Sequence, residues 1–119
     1  MCIRDSDRYK RQGLGASAQA ADEVWLTNEG SHGEDPAAIV AELRLGLLGA
    51  SATVRTVLDR GRAITSAVSA AGPGDVVLVV GRGHETRLQD TADPRGAVHF
   101  DDIEVARAAL VGDQAARAS

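Results

Sequence analysis

Gly81-Arg-Gly-His-Glu85 puts a cation, a titratable ring and a carboxylate within one turn, punctuated by two glycines. Glycine lets a backbone turn tightly and approach a ligand with no Cβ in the way. A carboxylate suits a ligand ammonium group, and free backbone N–H groups suit a ligand carboxylate. Together, Gly81 and Glu85, with Arg82 and His84 as possible supporting groups, describe a site for an amino acid. A plain glycine turn carrying solvated charges is the competing description. The segment is not a dinucleotide fingerprint, because Thr86 stands where a third glycine would fall, and no GK[ST] follows for a phosphate loop. A second loop, Asn28–Glu34, contains Glu29, Gly30, Ser31 and His32; His32 is either a ligand contact or a solvent-facing side chain.

Other chemistries find no support. His32, His84 and His99 lack the compact spacing of a zinc site, and the single cysteine, Cys2, excludes an internal disulfide and a cysteine-based metal site. No serine or usable cysteine sits beside a base as a nucleophile. Asp101-Asp102 could imitate a metal-binding carboxylate pair, but capping a helix is the expected role. The 119 residues, with 13 basic against 17 acidic side chains and a formal charge of −4, fit one globular domain. The absence of a basic tract argues against nucleic acid or an anionic membrane as partner, and only Tyr9, Trp25 and Phe100 could stack on bases. No apolar run approaches the roughly 20 residues of a membrane helix.

The elements that must hold these loops follow from pattern. Ala16–Ala21 is expected to end a helix. Glu23–Thr27 reads as a strand stopped by Asn28–Gly33. Asp35-Pro36 starts a helix with Ile39, Val40, Leu43 and Leu47 at helical spacing, closed by Gly49. Val54–Leu58 is a second strand, and Asp59 caps a helix bearing Ala63, Ile64, Ala67, Val68 and Ala71, ended by Gly72-Pro-Gly74. Asp75–Val80 has the unbroken apolar run of a strand buried on both faces. Arg87–Gly96 reads as a polar loop, Asp101 or Asp102 as the cap of a last helix, and residues 113–119 as a flexible tail. Alternating strands and helices imply an α/β fold: a three-layer, mostly parallel, Rossmann-like sheet, lacking its first strand. Ligands of such sheets bind beyond the carboxyl ends of strands, so both loops fall on one sheet edge.

Residues 1–12 differ in character from the Ala-, Gly- and Val-rich remainder of the chain. Cys2-Ile-Arg-Asp5 can be encoded TGT ATA AGA GAC and Tyr9-Lys-Arg-Gln12 TAT AAG AGA CAG, so both can contain TATAAGAGAC in different frames. The expectation is a translated sequencing adapter rather than a native basic arm, with the domain occupying residues 13–112.

From Ala21 onward the chain resembles the C-terminal domain of the Mur ligases, and in particular of the UDP-N-acetylmuramoyl-tripeptide synthetases. The matching pieces are Ala21–Thr27, Glu34-Asp35-Pro36, Ala70–Gly81, Gly83-His-Glu-Thr86 and Phe100–Leu110, in order and at compatible spacing. The family's GKGHE stands here as Gly81-Arg-Gly-His-Glu85. The resemblance implies a cytoplasmic, ATP-dependent amide ligase. Such an enzyme adds the third amino acid, a diamino acid, to UDP-MurNAc-L-Ala-D-Glu in peptidoglycan precursor synthesis, through an acyl phosphate. It further implies that ATP and magnesium bind mainly in a central domain absent from this chain, that a UDP-binding domain is also absent, and that the fragment alone is inactive.

By position, Gly81 and Glu85 match family contacts to the incoming diamino acid. The family's DNPR, found in enzymes that add meso-diaminopimelate, is replaced by Glu29-Gly30-Ser31-His32. An imidazole cannot make the bidentate fork that arginine offers a distal carboxylate. L-lysine, L-ornithine or another diamine lacking that carboxylate is therefore a candidate beside diaminopimelate. Lys10-Arg11 superficially matches a family lysine–arginine–proline segment, an accident if residues 1–12 are adapter. A noncatalytic α/β ligand-binding or regulatory domain on the same scaffold is the alternative.

Overall fold

Val24 and Trp25 favour extended backbone, and Glu23–Leu26 forms strand β1. It pairs in parallel with β2, Thr53–Thr56, in the register Glu23 opposite Thr53 through Leu26 opposite Thr56. This is a computed structural model, and it describes residues 21–28, 35–49, 51–82, 85–89 and 97–118. The expected helix at Ala16–Ala21 and the segment 1–12 thus fall outside the described residues, Ala21 apart.

Two parallel strands need a crossover, supplied by helix α1, Pro36–Leu45. The Asp35 carboxylate accepts from the Ala37 N–H at 3.1 Å, and Pro36 occupies the first turn, where a missing N–H costs nothing. Leu26, Val40 and Leu47 form a core, with Val24, Leu43 and Val54 packed against it. Gly49, at φ +80°, lets the chain leave the turn after the helix.

Helix α2, Arg60–Ala70, is capped by Asp59, which accepts from the Arg62 N–H at 3.0 Å. Its buried face carries Ala63, Ile64 and Val68. It packs against helix α3, Asp102–Ala118. Phe100, just before α3, lies where a side chain at Gly61 would stand, its ring 3.4 Å from the position of a Cβ there. At the start of α3 the Asp101 carboxylate accepts from the Ile103 N–H at 2.9 Å, so of the two aspartates Asp101 is the cap.

The result is an α/β domain with a small parallel sheet, and it departs from expectation in three places. Asp75–Val80 forms no strand ladder, and Val76 and Leu78 are 90% and 80% exposed rather than buried. An apolar run reports which side chains need cover; it becomes a buried strand only with a neighbour to pair with, and among the described residues none pairs with it. Second, the loop expected at 87–96 begins as strand β3, Arg87–Gln89, antiparallel to β4, Ala97–His99. Polar side chains concealed this short ribbon, whose backbone bonds do not depend on apolar alternation. Third, α3 continues to Ala118 instead of fraying near residue 112, because Ala-rich sequence has high helix propensity.

Candidate functional site

Asn28 follows β1 by two residues, and its N–H donates to the Leu58 carbonyl at 3.4 Å. Thr27 Oγ1 donates to the same carbonyl at 3.2 Å. The chain therefore leaves β1 fastened to the end of β2. On the other segment, Gly81 has φ +108°, a conformation that side chains disfavour, so the sequence places glycine where the turn requires it. The Glu85 N–H donates to the Arg82 carbonyl at 3.1 Å, and Glu85 is exposed.

Both segments are held by a buried charge cluster. Arg60, at the start of α2, is 3% exposed and grips Asp102 through two bonds, Nε to Oδ1 at 2.8 Å and Nη2 to Oδ2 at 2.7 Å. Its Nη1 donates to the Asn28 carbonyl and its Nη2 to the Val80 carbonyl, each at 3.1 Å. Arg82, also 3% exposed, donates from Nη1 to Asp102 Oδ1 at 2.9 Å. Its Nη2 reaches the Glu85 carbonyl at 3.3 Å and the Phe100 carbonyl at 2.8 Å. The guanidinium also lies 5.2 Å from the centroid of the Phe100 ring, while Arg82 Nε is buried without a partner. Burial pushes the Asp102 carboxyl up, but the hydrogen bonds and charges of Arg60 and Arg82 outweigh it and hold the carboxyl below the usual aspartate value.

One guanidinium thus ties together Asn28, the first residue of the loop Asn28–Glu34, and Val80, the residue before the loop that begins at Gly81. Of the site residues expected from sequence, Gly81, Arg82 and Glu85 are described, whereas Glu29, Gly30, Ser31, His32 and His84 lie outside the described residues. Arg82 is not the free cation the motif suggested: it turns inward and supports the loop from beneath. His99 faces Glu104 at 3.0 Å on the surface, in keeping with a role at the entry to α3. Among the described residues no group of three or more His, Cys, Asp or Glu side chains could hold a metal ion. No described helix is long and apolar enough to cross a membrane.

Arg60 escaped the sequence reading, and Asp102 was read there only as a helix cap or half of a carboxylate pair, not as the anion of a buried cluster. One signal was present: an arginine at the first position of a helix opposes the helix dipole, so a specific partner must hold it there.

Asn28 and Val80, from which the two segments depart, thus share one buried guanidinium in an α/β domain. The chain belongs to the family described as Mur ligase, glutamate ligase domain, whose model matches residues 2–83. It is 44% identical over 110 residues to a protein of Acidovorax sp. (strain JS42) named UDP-N-acetylmuramoyl-L-alanyl-D-glutamate--2,6-diaminopimelate ligase, covering 92% of this chain and 21% of that protein. Proteins of the same name from Synechococcus elongatus and Streptomyces coelicolor are 41% identical over 117 residues and 43% identical over 115. These alignments cover 97% and 92% of this chain, and 22% of each relative. The chain spans about a fifth of the length of the curated relatives it matches.

Proposed function

We propose that this chain is the amino-acid-holding C-terminal domain of an ATP-dependent ligase that joins a diamino acid to UDP-MurNAc-L-Ala-D-Glu in the cytoplasm. The observation that supports the reading is Arg60 bonded to both the Asn28 and Val80 carbonyls, which brings these two positions to one guanidinium. Glu85 is exposed on the second loop, where its carboxylate can receive the side-chain ammonium of the diamino acid. Backbone N–H groups near Gly81 are suited to the ligand carboxylate, and Glu29, Gly30, Ser31 and His32 are assigned to the same ligand by their match in sequence position to the family motif. ATP, with magnesium, supplies activation of the acceptor carboxylate. The described residues offer no donor set suited to magnesium, so no residue here is assigned to either group.

The substrate class is a diamino acid. The names of the relatives favour diaminopimelate, whereas His32 favours L-lysine or L-ornithine because imidazole lacks the arginine fork. Turnover of the full-length enzyme on this panel separates them. The altered Glu29–His32 loop also supports a second reading, a noncatalytic ligand-binding or regulatory domain; a central domain with a phosphate-binding loop directly upstream favours the ligase.

In this reading Asp75–Val80 is a strand of a three-layer parallel sheet in the full-length protein, paired by a strand that the described residues do not include. The exposure of Val76 and Leu78 supports it. Residues 1–12 remain proposed adapter sequence, although the family match begins at residue 2; nucleotide reads with unrelated codons in the two segments would remove that proposal. The central test is Glu85→Ala in the full-length ligase. The KM for the diamino acid should rise while the KM for ATP stays nearly constant, and an unchanged amino-acid KM refutes the assignment.

A further inference from the structure

Asp102 accepts hydrogen bonds from Arg60 at the start of α2 and from Arg82 within the second loop. The two guanidiniums hand its influence on to four backbone carbonyls: Asn28 and Val80 through Arg60, Glu85 and Phe100 through Arg82. Those carbonyls stand at the first residue of the first loop, before the second loop, at Glu85 itself and just before α3. We propose that Asp102 is a positioning residue for amino-acid binding, fixing two arginine forks that set the relative placement of both substrate loops.

The geometry favours this over a simple stabilising pair. Asp102 is 7% exposed, and the side chains of Arg60 and Arg82 are 2% and 0% exposed, so water does not share the work of holding them. Arg60 meets the carboxylate side-on with two bonds, which fixes the plane of its guanidinium and hence the direction of the N–H groups aimed at Asn28 and Val80. Rotate that plane and both loop origins lose their donor together. Arg82 is the corresponding brace inside the second loop. Its Nη2 bonds to Glu85 and Phe100 need a planar fork, and a lysine ammonium would supply a point charge instead.

The inference rests on the proposed amino-acid site, and the experiment separates the two. Asp102→Asn, Arg82→Lys, Glu85→Ala and the double variant Asp102→Asn/Glu85→Ala are made in the full-length ligase and assayed with meso-diaminopimelate and with L-lysine, well below each melting temperature. Asp102→Asn should raise the amino-acid KM about tenfold, the effect of misplacing a contact worth about 1.4 kcal/mol. The KM for ATP should move less than about twofold, and Arg82→Lys should give a smaller rise of the same kind. In the double variant the two effects should be less than additive, since a displaced Glu85 has little left to lose. A purely structural role would lower the melting temperature and the active fraction while leaving both KM values alone. That result, or a parallel rise in both KM values, overturns the positioning role. If Asp102→Asn yields no soluble enzyme, Arg82→Lys decides alone by the same KM comparison. An effect of Glu85→Ala with none from Asp102→Asn or Arg82→Lys removes only this inference; no effect of Glu85→Ala removes the site on which it rests.

Discussion

Replacing Asp102 by asparagine changes one charge and almost no volume, so it isolates the electrostatics of the cluster. The carboxylate accepts three charge-assisted bonds at 2.7–2.9 Å, two from Arg60 and one from Arg82. Asparagine keeps one acceptor oxygen and turns an N–H donor toward a guanidinium that is itself only a donor. Two cations then remain in a pocket that exposes 0–2% of their side chains. Breaking such a buried pair from one side costs about 3–5 kcal/mol, against a total of about 5–15 kcal/mol for a domain. The variant should therefore fold, with much of its margin gone.

Hydrogen exchange on the full-length protein reads this directly: at pH 7 the amides of β1 and α3 should lose about 3–5 kcal/mol of protection free energy. The acid limb supplies a second reading. Because the folded pKa of Asp102 lies below its unfolded value, its contribution is complete above about pH 4 and disappears as pH falls through the folded value. Arg60 and Arg82 are the charged groups bonded to the carboxylate. Parent and Asp102→Asn should converge in stability at low pH. A loss of less than about 1 kcal/mol at pH 7, the size of an exposed pair, or a gap that persists at low pH, refutes the reasoning.

Gly81→Ala should cost about 1–2 kcal/mol, since φ +108° is strained for any side chain, and in the ligase it should weaken amino-acid binding more than ATP binding. Asp59→Ala removes the cap of α2 and should lower stability by about 1 kcal/mol in urea unfolding. Leu78→Lys should be nearly neutral if its 80% exposure persists in the full-length protein; a loss of about 2 kcal/mol or more in urea supports the proposed internal strand. His32→Arg should raise turnover with diaminopimelate relative to L-lysine, and an unchanged preference removes the missing fork as the cause of selectivity.

Local chemistry was legible where the determinant was local. Asp35-Pro36 and Asp59 start helices because a side-chain oxygen two or three residues away can satisfy a free N–H. Gly81 announces its turn because few other residues tolerate its φ. The inward turn of Arg82 was not legible, since a charged residue in a glycine loop reads as solvated until its partner is seen 20 residues away. Asp75–Val80 shows the converse. Its composition asks for a neighbour on each side, and composition cannot say whether the rest of the fold supplies one.

The cluster bears on why the domain carries buried charge at all. Stability alone is a weak reason, because well-packed apolar side chains often replace a buried ionic triad without loss. Apolar replacements, however, have no N–H to offer. The carbonyls of Asn28, Val80, Glu85 and Phe100 receive donors from two rigid forks, and a buried oxygen such as that of Asn28 is costly to leave without a donor. Once arginines are there to serve these carbonyls, a carboxylate must neutralise them, and Asp102 at the start of α3 also favours the helix dipole. The chain of need therefore runs from the loops inward: the loop origins call for forked donors, the donors call for an anion, and the anion is seated where a helix begins. An apolar triad could preserve the core, but Asn28 and Val80 would lose the donor they share.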